Sequence, residues 1–160
     1  MTGRTTVLLF ASFLATLTAA CRSAPNKPDE FPHKVHFELG DSEFVGLDGI
    51  EIREVWGTAP QYRPGESYLV RETYRLDSLD TATLLLSTTA TSSQNSGPTE
   101  PKQSSHVARG SGDFELVHKM PTQGYPHLTF YKPSGSPFGG IYFGTGDTVL
   151  RDKRWNYAAP

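Results

Sequence analysis

Two histidines, His118 and His127, stand on either side of the segment Pro121-Thr122-Gln123-Gly124. On facing strands their imidazoles would hold a metal if Glu115 or Asp113 supplied a third ligand, because zinc accepts nitrogen and carboxylate donors in a tetrahedral set. The pattern of apolar residues argues against it. His118 runs with Phe114 and Leu116, whereas His127 runs with Tyr125 and Tyr131, so the rings belong to different faces and a structural histidine is expected. His33 and His36 are three apart and would point to opposite sides of a strand. Asp77, Asp80 and Asp147 lack the dense acidic spacing that a six- to eight-oxygen calcium shell requires, and turn-forming aspartates account for them. No metal and no cofactor is expected.

Catalytic patterns are equally thin. The chain has no Gly-x-Ser-x-Gly, no His-Glu-x-x-His, no phosphate-binding loop and no cysteine cluster. A serine nucleophile would need a histidine oriented by an acid, and nothing in the spacing assembles one. The protein is read as a non-enzyme. The stronger candidate is an aromatic surface. If Leu128 and Phe130 form the core face of a strand over 125–131, then Tyr125, His127, Thr129 and Tyr131 share the opposite face, and Tyr142 from a neighbouring strand extends it. Tyrosines present flat apolar area with a polar rim, which suits a saccharide or a partner protein of the envelope. The competing arrangement makes this face the other half of the core, with Tyr131 and Tyr142 buried in it.

The elements that must position these residues are strands. Fifteen glycines, 12 prolines and a mean hydropathy of −0.42 fit a chain of short strands and many turns. Lys34 to Gly40 alternates with Val35, Phe37 and Leu39 inward; Gly49 to Gly57 begins the same way with Ile50 and Ile52, then loses alternation, which places a bulge near Arg53. Arg63-Pro64-Gly65-Glu66 is a turn. Tyr68 to Leu76 and the threonine-rich Thr81 to Thr91 read as two strands joined by a tight Asp77-Ser78-Leu79-Asp80 connection. Ser92 to Ser105 is a long polar loop. His106 to Arg109 is a short strand, Gly110-Ser111-Gly112 a turn, and Asp113 to Met120 a strand that a hairpin loop over 121–124 joins to Tyr125–Tyr131. Pro133 to Pro137 turns the chain into a strand over 138–143, and Gly144 to Asp147 leads to a last short run, Thr148 to Leu150. About eight short strands at this rhythm predict an all-β fold, an antiparallel β-sandwich of Ig-like rhythm but without the antibody disulfide.

Upstream lies a different kind of segment. Arg4 is followed by the apolar run Val7 to Leu17, too short for a membrane span and of the length of a secretory signal. The small residues Thr18-Ala19-Ala20 then precede Cys21, the single cysteine. This arrangement resembles the lipobox of bacterial lipoproteins, in which the thiol is acylated and signal peptidase II cuts before it. The family most often has Leu three residues before the cysteine, where this chain has Thr18, with Leu17 one place earlier. An ordinary signal peptide, cut after an A-x-A-like triplet, would instead leave a free thiol.

The expected organisation is therefore a signal peptide over 1–20, a lipidated cysteine and flexible tether over 21–33, a β-domain over 34–152 and a tail over 153–160. Residues up to about 32 are expected to add nothing to folding. The resemblance implies a membrane attachment through the N-terminal lipid, on the outer membrane if the cell has two, since Arg22 is not the aspartate that often retains such proteins at an inner one. Removing Arg4 with the signal takes the formal charge from −2 to −3, and without a basic stripe nucleic acid is not an expected partner.

Overall fold

Tyr68, Val70, Leu76, Ala82, Leu84 and Leu86 occupy alternate positions on one strand, and each is at most 3% exposed. That strand is the spine of the domain. The computed structural model describes residues 29–91 and 102–152. Within them lie β1 (His33–Val35), β2 (Glu38–Glu43), β3 (Gly49–Gly57), β4 (Ser67–Ala90), β5 (Ser104–Lys119), β6 (Gly124–Tyr131), β7 (Pro137–Gly144) and a 3-10 turn at Gly146–Thr148. All pairings are antiparallel and join the strands in the order β1-β3-β4-β6-β7-β2, with β5 also on β4.

The fold is all-β, as composition predicts, but its strands form one curled sheet in which β4 serves both halves. Along one edge β4 pairs with β5; along the other its first half pairs with β3 and its second with β6. The expected connection at Asp77 to Asp80 is an enlarged bulge inside β4, because Leu76 faces Gly110 and Thr81 faces Ala108. Asp48 holds it: its Oδ1 accepts the N–H groups of Asp77 (2.7 Å) and Ser78 (3.0 Å), and its Oδ2 accepts the Ser78 hydroxyl. With their donors satisfied, those residues bulge out without ending the strand. The expected turn at Gly110 to Gly112 likewise lies within β5, where Gly110 takes φ 116°, open to glycine at little cost.

Two other expectations are corrected. The hairpin over 121–124 does not form: β5 and β6 both pair with β4, since Thr83 faces His106 on one side and Tyr131 on the other. Consecutive antiparallel pairs are instead β3–β4, β4–β5 and β6–β7, the last closed by Lys132 N–H to Ser136 O (2.9 Å) and Gly135 N–H to Lys132 O (2.8 Å). The run Lys34 to Gly40 divides at His36–Phe37, β1 joining β3 and β2 joining β7. Leu39, expected inward, stays 55% exposed, because β2 ends the sheet path and has core on one side only. The bulge near Arg53 is present between Ile52 and Glu54, and the turn at Gly65 has its positive φ of 87°.

Curling brings the inner faces of the halves together. Thr88 Oγ1 lies 2.8 Å from His118 Nε2 and Tyr62 packs edge-on to Phe143 at 5.8 Å, while along the strand edge Val117 N–H donates to Lys102 O at 2.9 Å. Phe130, Phe138 and Leu128 complete the core with no exposed surface. Glu72 is also fully buried there, between Ile52 and Phe114 in register, with no partner for either carboxylate oxygen.

Phe31 and the first residue of β1, His33, lie within the segment expected as tether. Phe31 is 7% exposed and lines, with Leu69, Val117 and Arg71, a recess of about 370 Å³ on the outer face of β4 and β5. Replacing Phe31 by Ala should cost about 2 kcal/mol, the burial energy of one aromatic side chain. A chain beginning at His33 should lose as much in urea titration, and equal midpoints would return Phe31 to the tether.

Candidate functional site

Because side chains alternate along a strand, the core set on β4 leaves Thr81, Thr83, Leu85, Ser87 and Thr89 on the outer face. Register adds Ser104 and His106 from β5 beside Leu85 and Thr83, and Tyr125, His127, Thr129 and Tyr131 from β6. Hydroxyls and imidazoles link across the strands and along β6. Thr83 Oγ1 lies 3.1 Å from His106 Nδ1, Ser87 Oγ 3.1 Å from His127 Nε2, and His127 Nδ1 2.9 Å from Thr129 Oγ1. These positions carry no carboxylate, ammonium or guanidinium.

The outer face of the other half is its chemical opposite. Arg71 pairs with Glu54 at 2.8 Å and with Glu115 at 2.7 Å, and Arg53 with Asp113 at 2.7 Å. That half presents an ion-pair lattice of three carboxylates and two guanidiniums, whereas the half around β6 presents phenols, hydroxyls and imidazoles.

Over 125–131 Leu128 and Phe130 are fully buried and Tyr125, His127 and Tyr131 are half-buried on the outer face, but Thr129, expected beside them, is only 2% exposed and adds no surface. Tyr142 stands opposite His127 in register, its ring centroid 5.0 Å from the imidazole, but it is 0% exposed and offers no surface. It packs where β2 bulges at Gly40. A Cβ added to Gly40 would come within 3.1 Å of Tyr142 Cβ and 3.2 Å of a Val149 methyl, and Leu150 O accepts the Asp41 N–H there. The Tyr142 hydroxyl lies 3.0 Å from Thr89 Oγ1, so its role in this face is support from beneath.

At the Tyr131 end the face deepens into a groove of about 520 Å³. Thr81, Thr83 and Leu85 line it from β4, Ser104 and His106 from β5, Tyr131 from β6, and Lys132, Pro133 and Gly135 from the β6–β7 turn. Burial and then the neighbouring Tyr142 hold the Tyr131 phenol above its ordinary pKa, so it is a neutral donor and acceptor. Alternation found Tyr131, but His106, Thr83 and Ser104 join it only through strand pairing, for which the sequence carries no signal.

The remaining candidates separate. His118 is buried on the inner face against Thr88 and His127 lies on the outer one, so they share no site with Asp113, which pairs with Arg53, or Glu115, which pairs with Arg71. Asp80 pairs with Arg109 and Asp77 with Arg75. Among the described residues no three His, Cys, Asp or Glu side chains gather around a common point. Cys21, the signal segment and the tail over 153–160 lie outside the described residues. Family models, curated proteins and solved structures were compared with this chain, and none matches it.

Proposed function

We propose that the protein is a bacterial lipoprotein, anchored in the cell envelope through acylated Cys21, whose β-domain is a non-catalytic binding module. The observation that carries the binding role is the groove beside Tyr131, lined by hydroxyls, rings and the single lysine Lys132, while the other half of the sheet is covered in ion pairs. A half-buried tyrosine at the edge of such a groove gives a docking ligand apolar contact and a hydrogen-bonding tip in one side chain. The two halves of the sheet are read as the layers of a sandwich with a common strand, supported by the core drawn from both and by the bent β4, since strands that change layers do so at bulges.

Two measurements test this. Mass spectrometry of the native N-terminus should find a diacylglyceryl group on Cys21; a peptide with an intact thiol at Cys21, or one beginning at Arg22, would sink the anchor. The mature protein, immobilised, should retain material from envelope saccharide or protein fractions. Thr83→Arg, which puts a charge on the groove floor, should abolish retention, and undiminished retention would move the site elsewhere.

A further inference from the structure

Leu39 is paired in register with Phe143, and residues paired in this way project on the same side of a sheet. Phe143 is fully buried and lies edge-on to Tyr62, so Leu39 stands at the rim of the core, yet 55% of its surface is exposed. Among the described residues β2 pairs with no strand other than β7, and the sheet path ends there. Two contacts bring the last described residues to the same place. Leu150 O accepts the Asp41 N–H at 3.0 Å, and the Arg151 guanidinium donates to the carboxylate of Glu38, the neighbour of Leu39. Independently of the binding role, we infer that residues 153–157, which follow at once, dock on β2 and cover Leu39 with Trp155 and Tyr157, closing this edge of the sheet.

Reach, pattern and charge select this occupant. Trp155 is four residues beyond Arg151, a span of at most about 14 Å, and Asp152 bends the chain between them with a φ of 66°. Trp155 and Tyr157 are two apart and share a face in an extended segment, while Arg154 and Asn156 take the other. The strand they meet is acidic. β2 carries Glu38, Asp41 and Glu43, and the incoming segment brings Lys153 and Arg154 behind Arg151. A second copy of the chain laid edge to edge on β2 would instead set those carboxylates against their own kind, which opposes the pairing. An aromatic ring over Leu39 takes apolar area from water on both sides of the contact.

The test labels the two tryptophans of the mature protein with 5-fluorotryptophan and reads each by fluorine NMR, Trp155→Phe identifying the resonances. A soluble gadolinium chelate should broaden the Trp155 signal several-fold less than it broadens the same residue in a free peptide of residues 150–160. Leu39→Glu, at a position that is already exposed and so leaves the fold intact, should raise Trp155 to the peptide's value and leave Trp56 unchanged. Deleting residues 153–160 should lower the melting temperature by several degrees, and adding the peptide in excess should restore it. Trp155 as accessible as in the peptide overturns the docking, and shielding that survives Leu39→Glu overturns its place on β2. Shielding that appears only as concentration rises, together with a dimer in sedimentation, overturns the cover by the chain's own segment in favour of a second copy. An unchanged melting temperature after the deletion overturns the closed edge.

Discussion

Glu72→Leu should make the domain more stable, by about 2 kcal/mol or more at pH 8, and should flatten its stability on the alkaline side. The reason is a carboxyl group with no exposed surface and no hydrogen-bond partner, for which an unmet polar group costs ~1 to 3 kcal/mol and a charge costs more. Burial raises its pKa well above the ordinary 4.5, and it is held as the neutral acid. The stabilisation that goes with the bound proton is complete below 4.5, where the unfolded chain is also protonated, and is lost as pH rises through the folded value. His118 acts in the other direction. Burial lowers its pKa from 6.5 to about 4, so its contribution is present above 6.5 and is lost as pH falls toward 4, worth about 3 kcal/mol. The wild type should therefore lose stability at both ends. Urea midpoints from pH 4 to 9 decide it: Glu72→Leu should keep the acid limb and lose the alkaline one, and an unchanged alkaline limb would show that Glu72 is not its source.

The second large effect belongs to Phe130. Its ring stacks on Phe138 at 5.6 Å and meets Phe44 edge-on at 6.4 Å, with no exposed surface. Phe130→Ala removes that packing and leaves a cavity, which should cost ~3 to 5 kcal/mol, a large part of what a domain of this size has. Tyr131→Ala, one residue on and on the outer face, should cost far less. Side-by-side equilibrium unfolding checks the ranking, and a more damaging Tyr131→Ala would mean that the outer face carries the core.

Why one residue of alternation was legible while its partners were not follows from what a sequence encodes. Period-two patterning records which face of a strand is buried, so Leu128 and Phe130 inward and Tyr131 outward could be read directly, as could the bulge at Arg53 where the period slips. It does not record which strand lies alongside. The hairpin expected between β5 and β6 failed on that point, because both satisfy the same pattern on either side of β4. Asp77 to Asp80 and Gly110 to Gly112 have turn chemistry, yet Asp48, 29 residues before Asp77, supplies the acceptors that let the chain run on. Phe31 was hidden by its company of prolines and charges, and Tyr142 by residues 149–150 closing on it from the far end of the described chain.

β2 has a consequence for when the domain can become whole. Glu38 pairs with Gly144 and Leu39 with Phe143, contacts that join the beginning and end of the described chain. Such pairings form late, because the entropy of closing so long a loop must be met before any bond repays it. The β3–β4 pair can assemble from neighbouring sequence, but the last edge must wait for β7. If the chain is exported unfolded, the core stays open until almost the whole polypeptide has emerged, with β6 and Phe130 without their cover in the interval. The lipid at the other end would by then already hold the chain at the membrane, so closure would take place at a surface and not in free solution.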